Sequence, residues 1–173
     1  MPGRKRDPRA QAAALAAAEE LLNEVGYHRV TMERIAERSG VAKMTLYRWW
    51  PNKAAIVTDA VRGKLAPAEL PDTGSLEGDL LAQLEALLGA LTRYGDASVV
   101  AGAMSSRGEA GRADLRDILH PWFEGLVTIL ERRGDPSLPV TLIAQSWVGY
   151  VVYRVVFLQE EVTREDLSRL IAR

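Results

Sequence analysis

Apolar residues recur along nearly the whole chain at intervals of three and four, the spacing of one helix face. Leu15, Ala18, Leu22 and Val25 form the first such face. Asp7-Pro8 begins it, because aspartate can cap a helix N-terminus and proline suits the first helical position. Gly26 provides the left-handed residue at which helices often end, and Tyr27 can fold apolar surface back after it. Thr31 is placed to cap a second helix, MERIAERS, with Met32, Ile35 and Ala36 facing inward. Gly40 closes that helix, and a third runs from about Ala42 to Trp50. Pro51 stops the third, and Asn52 can cap a fourth whose stripe is Ile56, Val57, Ala60, Val61 and Leu65.

Residues 66–75, APAELPDTGS, hold two prolines, a glycine and turn formers, and read as a linker. A strongly amphipathic helix follows, with Leu76, Leu80, Leu84, Leu87 and Leu91 on one face and Leu81 and Leu88 beside them. The pattern then predicts a short helix near 97–105, a break at GEAG, and a long helix over 112–133 kinked at Pro121. GDPSLP separates that helix from one at about 139–159, and Thr163 with Asp166 caps a last short helix. The expected fold class is all-α, with no strand, repeat or low-complexity tract.

Residues 32–46 carry a more specific spacing. Two helices crossing at ~90–120° through a short turn need a small residue at closest approach, which Ala36 supplies. The turn needs a residue that tolerates positive φ, which Gly40 supplies. Ile35, Val41 and Leu46 fill the wedge between the two helices. This is the pattern of a helix-turn-helix, whose second helix enters the DNA major groove. A bare helical hairpin would share the wedge but not the short polar second helix.

On these residues the chain resembles the tetracycline-repressor (TetR) family. Gly26, Thr31, Ile35-Ala36, Gly40-Val41, Thr45-Leu46-Tyr47, an aromatic at Trp50, and Lys53 carry the resemblance, within residues 9–65. The later part matches only in layout. The resemblance implies a homodimeric, all-helical bacterial repressor, usually released from its operator by a small molecule. It implies a basic tail at 1–8, a helix-turn-helix DNA-binding domain at 9–65 with the motif at about 31–50, and a ligand-binding and dimerisation domain at 66–173. It places Lys43, Met44, Thr45 and Trp49 toward bases or nearby sugar-phosphate, and Tyr47 and Lys53 on phosphates, with Thr31 and Met32 also touching backbone. The side-chain chemistry agrees. Lysine donates to guanine O6 and N7, and threonine and methionine pack on a thymine methyl. Tyrosine hydroxyl, lysine ammonium and helix-start N–H groups suit phosphate.

Some positions depart from the family. Trp49 stands where many members have histidine and Trp50 where many have phenylalanine. Glu33 occupies a position that is sometimes basic in relatives, and a carboxylate there can only accept, as from cytosine. Trp50, four residues after Leu46, is expected in the core; Trp49 either packs on sugar or covers the domain. Arg48 is expected on phosphate or in solvent. Arg4, Lys5, Arg6 and Arg9 either add salt-dependent affinity or are merely solvated.

In the later half, WVGYVVYRVVFL at 147–158 is apolar nearly all round, so it must be buried on more than one side. One side can face its own domain and the other a partner. Val148, Val151, Val152 and Val155 are the expected dimer interface. Twelve residues are too few to cross a membrane. A dimer also fits DNA geometry, because two recognition helices ~34 Å apart read a pseudo-palindrome. The expected ligand pocket lies among the helices at 76–94, 112–133 and 139–159, lined by Met104, His120, Trp122, Phe123, Trp147, Tyr150, Tyr153 and Arg154. Such a set suits a small, mostly apolar effector, although each residue is more readily plain core. Arg154 interrupts an apolar run and needs a partner: an acidic side chain, a ligand anion or the other subunit.

Composition narrows the classes. The 173 residues include no cysteine, which removes thiolate and disulfide chemistry. Charge is uneven: residues 1–64 hold 12 Lys/Arg against 7 Asp/Glu, and residues 65–173 hold 10 against 16. A basic part beside an acidic part fits a polyanion partner for the first, though clustering on solvated faces gives the same count. Without a run of 18 apolar residues or a signal peptide, the expected location is the cytoplasm. Enzyme chemistry has little to work with. Only His28 and His120 are present, without a phosphate loop or HExxH, and no cofactor or metal is expected. The leading expectation is a ligand-responsive repressor on a palindromic operator; an activator or a ligand-independent DNA-binding protein is the alternative.

Overall fold

The computed structural model describes residues 7–67, 69–93 and 109–172. The expected short helix near 97–105, Met104 and the arm residues Arg4, Lys5 and Arg6 lie outside them. Among the described residues the protein is all-helical, with eight α-helices and no strand.

Helix α1 spans Pro8–Val25, with the Asp7 carboxylate accepting from Arg9 N at 3.0 Å and Gly26 ending it at φ 74°. Its inward face is Ala14, Ala17, Ala18, Leu21 and Leu22, while Leu15 and Val25 are only half-buried. The face is therefore rotated from the leucine-led one the periodicity predicted. The small alanines let α2 (Met32–Ser39) and α4 (Lys53–Leu65) pack closely on α1. Thr31 caps α2 by accepting from Arg34 N at 3.2 Å, and Asn52 caps α4 by accepting from Ala55 N at 2.9 Å. The short α3, Lys43–Trp49, sits between them.

Helices α5 (Leu76–Thr92), α6 (Glu109–Arg133), α7 (Val140–Val152) and α8 (Arg164–Ile171) form a second packed group. Helix α6 begins inside the expected GEAG break and runs through Pro121. Its core face is Ile118, Trp122, Leu126, Ile129 and Leu130, a 4-4-3-1 spacing. Thr163 and Asp166 form a reciprocal capping box at the start of α8, as the sequence predicts. The two groups meet where α4 packs on α5 and α6.

The linker is pinned by a carboxylate. Asp79, fully buried on α5, accepts from Thr73 N at 2.6 Å and Thr73 Oγ1 at 2.8 Å, and pairs with Arg132 at 2.8 Å and Arg133 at 3.0 Å. These hydrogen bonds, the one from Thr73 N foremost, hold its pKa below the ordinary aspartate value despite burial.

Helix α7 continues as a π-helical turn, Tyr153–Phe157. Together, Val140–Phe157 span 18 residues at mean hydropathy 1.4, which by length and composition is enough to cross a membrane. The expectation that this element is too short does not hold, because the helix begins seven residues before Trp147. One side of it, however, packs inside the protein against α6 and α5, and the core helix of a globular bundle meets the same measure.

Candidate nucleic-acid interface

The helix-turn-helix forms as its spacing predicts. Ile35 and Leu46 are fully buried and Val41 nearly so, filling the wedge between α2 and α3. Gly40 takes the left-handed conformation at φ 67° and turns the chain. Trp50 is 2% exposed, and its indole Nε1 donates to Asp59 Oδ2 of α4 at 2.8 Å. It is the expected core anchor, and it also ties the end of α3 to α4.

The predicted contact residues fall into three groups. Lys43 and Met44 open α3 on the surface; Met44 is 81% exposed, the most exposed large apolar side chain described. Thr31, Met32, Tyr47 and Lys53 surround one cleft with His28 and Asn52. Thr45, Arg48 and Trp49 line another, which reaches Asp7 and Ala10 at the start of α1.

The structure refines two assignments. The Met32 side chain is 4% exposed, because it faces the core of the first group, so only its main chain is available to a phosphate. The Lys53 ammonium is not held out for phosphate. It donates to the carbonyls of Tyr27 at 3.0 Å and His28 at 3.2 Å, and lies 4.5 Å from the Tyr27 ring centroid. Lys53 therefore fastens the start of α4 to the turn before α2, leaving at most one N–H for DNA. Trp49 is half-buried, edge-on to Trp50 at 5.7 Å and 82°, which favours the covering role.

Electrostatically, the surface is organised around one ion pair. Lys43 pairs with Glu33 in the first turn of α2, and its ammonium stands 5.8 Å from the Tyr47 ring centroid. The hydrogen bond between them lowers the Glu33 pKa and raises that of Lys43, so both carry charge. Behind them, Arg38 bonds Glu24 at 2.6 Å and ties α2 to α1.

The expected pocket residues that the structure describes differ in exposure and in partners. His120 is exposed and stacks on Phe123 at 5.9 Å. Trp122 is 3% exposed, and its Nε1 donates to Leu65 O, the last carbonyl of α4, at 2.9 Å. It thereby bolts the two groups together. Trp147 and Tyr150 are half-buried, and Tyr153 is 55% exposed beside Phe157. Arg154 has found an acidic partner. It pairs with Glu160 at 2.6 Å, donates to Tyr150 Oη at 2.8 Å, and lies 5.6 Å from the Tyr150 ring centroid. The π turn and the left-handed Gln159 (φ 54°) bring Glu160 back to it.

The interface valines are also corrected. Val148, Val151, Val152 and Val155 are 0–8% exposed within the single chain, as core against the neighbouring helices. The opposite side of α7 is open: Leu142 at 62%, Tyr153 at 55% and Phe157 at 58%, with Gln145, Ser146 and Gly149 between them. Sequence reasoning missed Asp79 and Gln83, both buried on α5. Their visible signal was two polar residues inside a leucine-rich face.

Comparison with known proteins places this geometry. The profile of bacterial regulatory proteins of the tetR family matches residues 14–60, and that of the tetracyclin repressor-like C-terminal domain matches residues 70–173. The HTH-type transcriptional regulator YdeS of Bacillus subtilis is 44% identical over 80 residues, 46% of this chain and 40% of that protein. The DNA-binding transcriptional repressor TetR of Mycobacteroides abscessus is 39% identical over 75 residues, 42% of this chain and 40% of that protein. The match thus spans about two-fifths of the length of these curated relatives. The crystal structure of the TetR family transcription regulator SCO0332 superposes with a TM-score of 0.70 at 30% identity over 95% of both chains. FadR from Bacillus subtilis, in complex with stearoyl-CoA, shares the fold at 20% identity, with a TM-score of 0.63 over 91% of this chain and 93% of that one.

Proposed function

Since the chain belongs to the tetracycline-repressor family of helix-turn-helix regulators, we propose that it is a transcriptional repressor that binds a palindromic operator as a homodimer. A small, mostly apolar effector releases it. The observation that carries this reading is the surface of α3. A buried Leu46 and Trp50 fix the helix from behind, while Lys43, Met44 and Tyr47 stand outward on its exposed side. That combination of base-edge donor, methyl-packing prong and phosphate-facing phenol suits a major groove.

Homodimerisation is supported by the open side of α7. Leu142, Tyr153 and Phe157 form an apolar stripe whose burial against a second copy would remove it from water. Two copies joined there would present two α3 helices for half-sites about one helical turn apart. The effector site is proposed among α5, α6 and α7. An effector that favours a spacing of the α3 helices that no longer matches successive major grooves weakens DNA binding, and DNA weakens effector binding by the same factor.

The test begins with selection of duplexes from a random pool by the purified chain, followed by anisotropy on the selected sequence. A palindromic sequence bound at least about a hundredfold tighter than random duplex at moderate salt is expected. Equal binding to both would end the proposal. Stearoyl-CoA, the ligand seen with FadR, is a reasonable first probe for release. Release by no acyl-CoA or other apolar compound, with operator binding intact, would favour a ligand-independent regulator.

A further inference from the structure

We propose that Glu33 is a specificity-determining residue acting jointly with Lys43: the two side chains read one G·C base pair, Lys43 donating to the guanine and Glu33 accepting from the cytosine. The inference rests on α3 being the recognition helix.

Three observations carry it. First, the pair joins the two halves of the motif. Glu33 lies in the first turn of α2 and Lys43 opens α3, so their ion pair spans the turn on the outer surface. Second, both side chains remain accessible, Lys43 at 50% and Glu33 at 58%. The pair is presented to a partner rather than buried as a structural bolt. Third, the Lys43 ammonium also lies over the Tyr47 ring at 5.8 Å, a second contact that favours this position of the side chain. The lowered Glu33 pKa and raised Lys43 pKa keep both members ionised at neutral pH.

A carboxylate in a DNA interface must be accounted for, because it cannot bind a phosphate. In the major groove it can accept only from cytosine N4 or adenine N6. Lysine is best served by guanine, which offers O6 and N7 together. A G·C pair places the cytosine N4 donor beside guanine O6, so one base pair satisfies a joined ammonium and carboxylate. On an A·T pair, Lys43 loses the doubled acceptor. On non-specific phosphate, Lys43 must leave Glu33, and the freed carboxylate then faces the negative backbone. Glu33 thus lowers affinity for wrong sequence more than for right sequence, which is specificity by opposition to the competitor.

The experiment compares the full-length wild-type chain with E33A and E33Q by random-pool selection, then by anisotropy on three duplexes. These are the selected operator, the same operator with the critical G·C changed to A·T in both half-sites, and a random duplex. Thermal melting confirms that the variants fold, as expected for an exposed site. Wild type should select G·C at one symmetric position and lose about tenfold or more on its replacement. E33A should cut that discrimination to about threefold or less while binding random duplex several-fold more tightly. E33Q should move the preference toward adenine, which suits a glutamine amide. Retention of the wild-type motif and discrimination by E33A overturns the proposal. So does an equal gain on all three duplexes, since Glu33 would then be a general repulsive charge. If wild type itself selects no motif, the DNA-binding reading falls, and this inference with it.

Discussion

Replacing Trp122 with phenylalanine tests whether the two helical groups are joined by a specific bond or by general apolar packing. Helix α4 ends without a glycine: Ala66 follows it with extended backbone at φ −74° and ψ 148°. The last carbonyls of a helix lack intrahelical partners, so one that is buried must find a donor elsewhere. Leu65 is 2% exposed, and its carbonyl accepts from the Trp122 indole at 2.9 Å. W122F keeps an aromatic ring but removes that donor. The unpaired buried carbonyl costs about 1–3 kcal/mol, and the smaller ring leaves a void worth roughly 1 kcal/mol. A total of about 2–4 kcal/mol in a chain of 173 residues corresponds to a melting temperature lower by about 4–16 °C. The assay is thermal melting followed by circular dichroism at one fixed protein concentration, since any self-association would make the midpoint concentration-dependent. If Trp122 were only apolar filler, the loss would be near the void figure alone, a shift of about 2–4 °C. A shift within that smaller range would refute the capping argument.

Three further outcomes follow from the same bonds. K53M should lower the melting temperature and weaken binding to specific and random duplex alike, because the carbonyls of Tyr27 and His28 lose their shared donor; an unchanged melting temperature would remove its fastening role. Asp79 has a folded pKa held below its ordinary value by its Thr73 and arginine hydrogen bonds, so its stabilisation is complete above the ordinary aspartate range, near 4, and is lost as pH falls through the lower folded value. D79N should therefore lower stability at neutral pH and flatten the acid limb of melting temperature against pH, and a parallel limb would contradict this. F157E, on the open side of α7, should shift sedimentation from dimer to monomer while leaving helicity intact; an unchanged sedimentation coefficient would move the interface elsewhere.

What could be read in the chain depended on whether a feature is local and periodic. The helix-turn-helix was legible because its residues stand at fixed offsets within fifteen positions, each with one steric job. The caps at Asp7, Thr31, Asn52 and Thr163 were legible for the same reason. The inward face of α1 was misplaced because alanine carries little hydropathy signal, although close packing on α2 and α4 selects it over Leu15. The open side of α7 was not legible at all. A helix apolar all round has no period that marks one side as core, so the sequence does not separate the buried valines from the exposed side. The bonds of Lys53 and Trp122 were not legible, because their partners, the carbonyls of Tyr27, His28 and Leu65, are main-chain atoms distant in sequence. No local pattern marks a backbone carbonyl as an acceptor for a remote side chain. Arg154 lies between these cases: the sequence demanded a partner, and the π turn supplied Glu160 only six residues on.

These bonds converge on α4. Its first residue, Lys53, is fastened to the turn that precedes α2. In its middle, Asp59 accepts from Trp50 at the end of α3 and also pairs with Arg62 at 3.4 Å. Arg62 reaches across to Asp117 of α6 at 2.5 Å, and the last carbonyl of α4 is capped by Trp122 of that same helix. Helix α4 is therefore fastened to the N-terminal unit at its start and middle, and again near its end where Lys64 pairs with Glu19 of α1, while its second half is also held by α6. A displacement of α6 has two outlets: it carries α4 and the end of α3 with it, or it breaks a bond named above. The surface pair Arg62–Asp117 is the weaker member, since exposed ion pairs contribute about 1 kcal/mol or less. The buried Trp122–Leu65 bond is the stronger, because its loss strands a carbonyl away from water. Small movements of α6 should accordingly be taken up at Arg62–Asp117, whereas larger ones must move α4 as a body, and with it the helix that carries Lys43, Met44 and Tyr47.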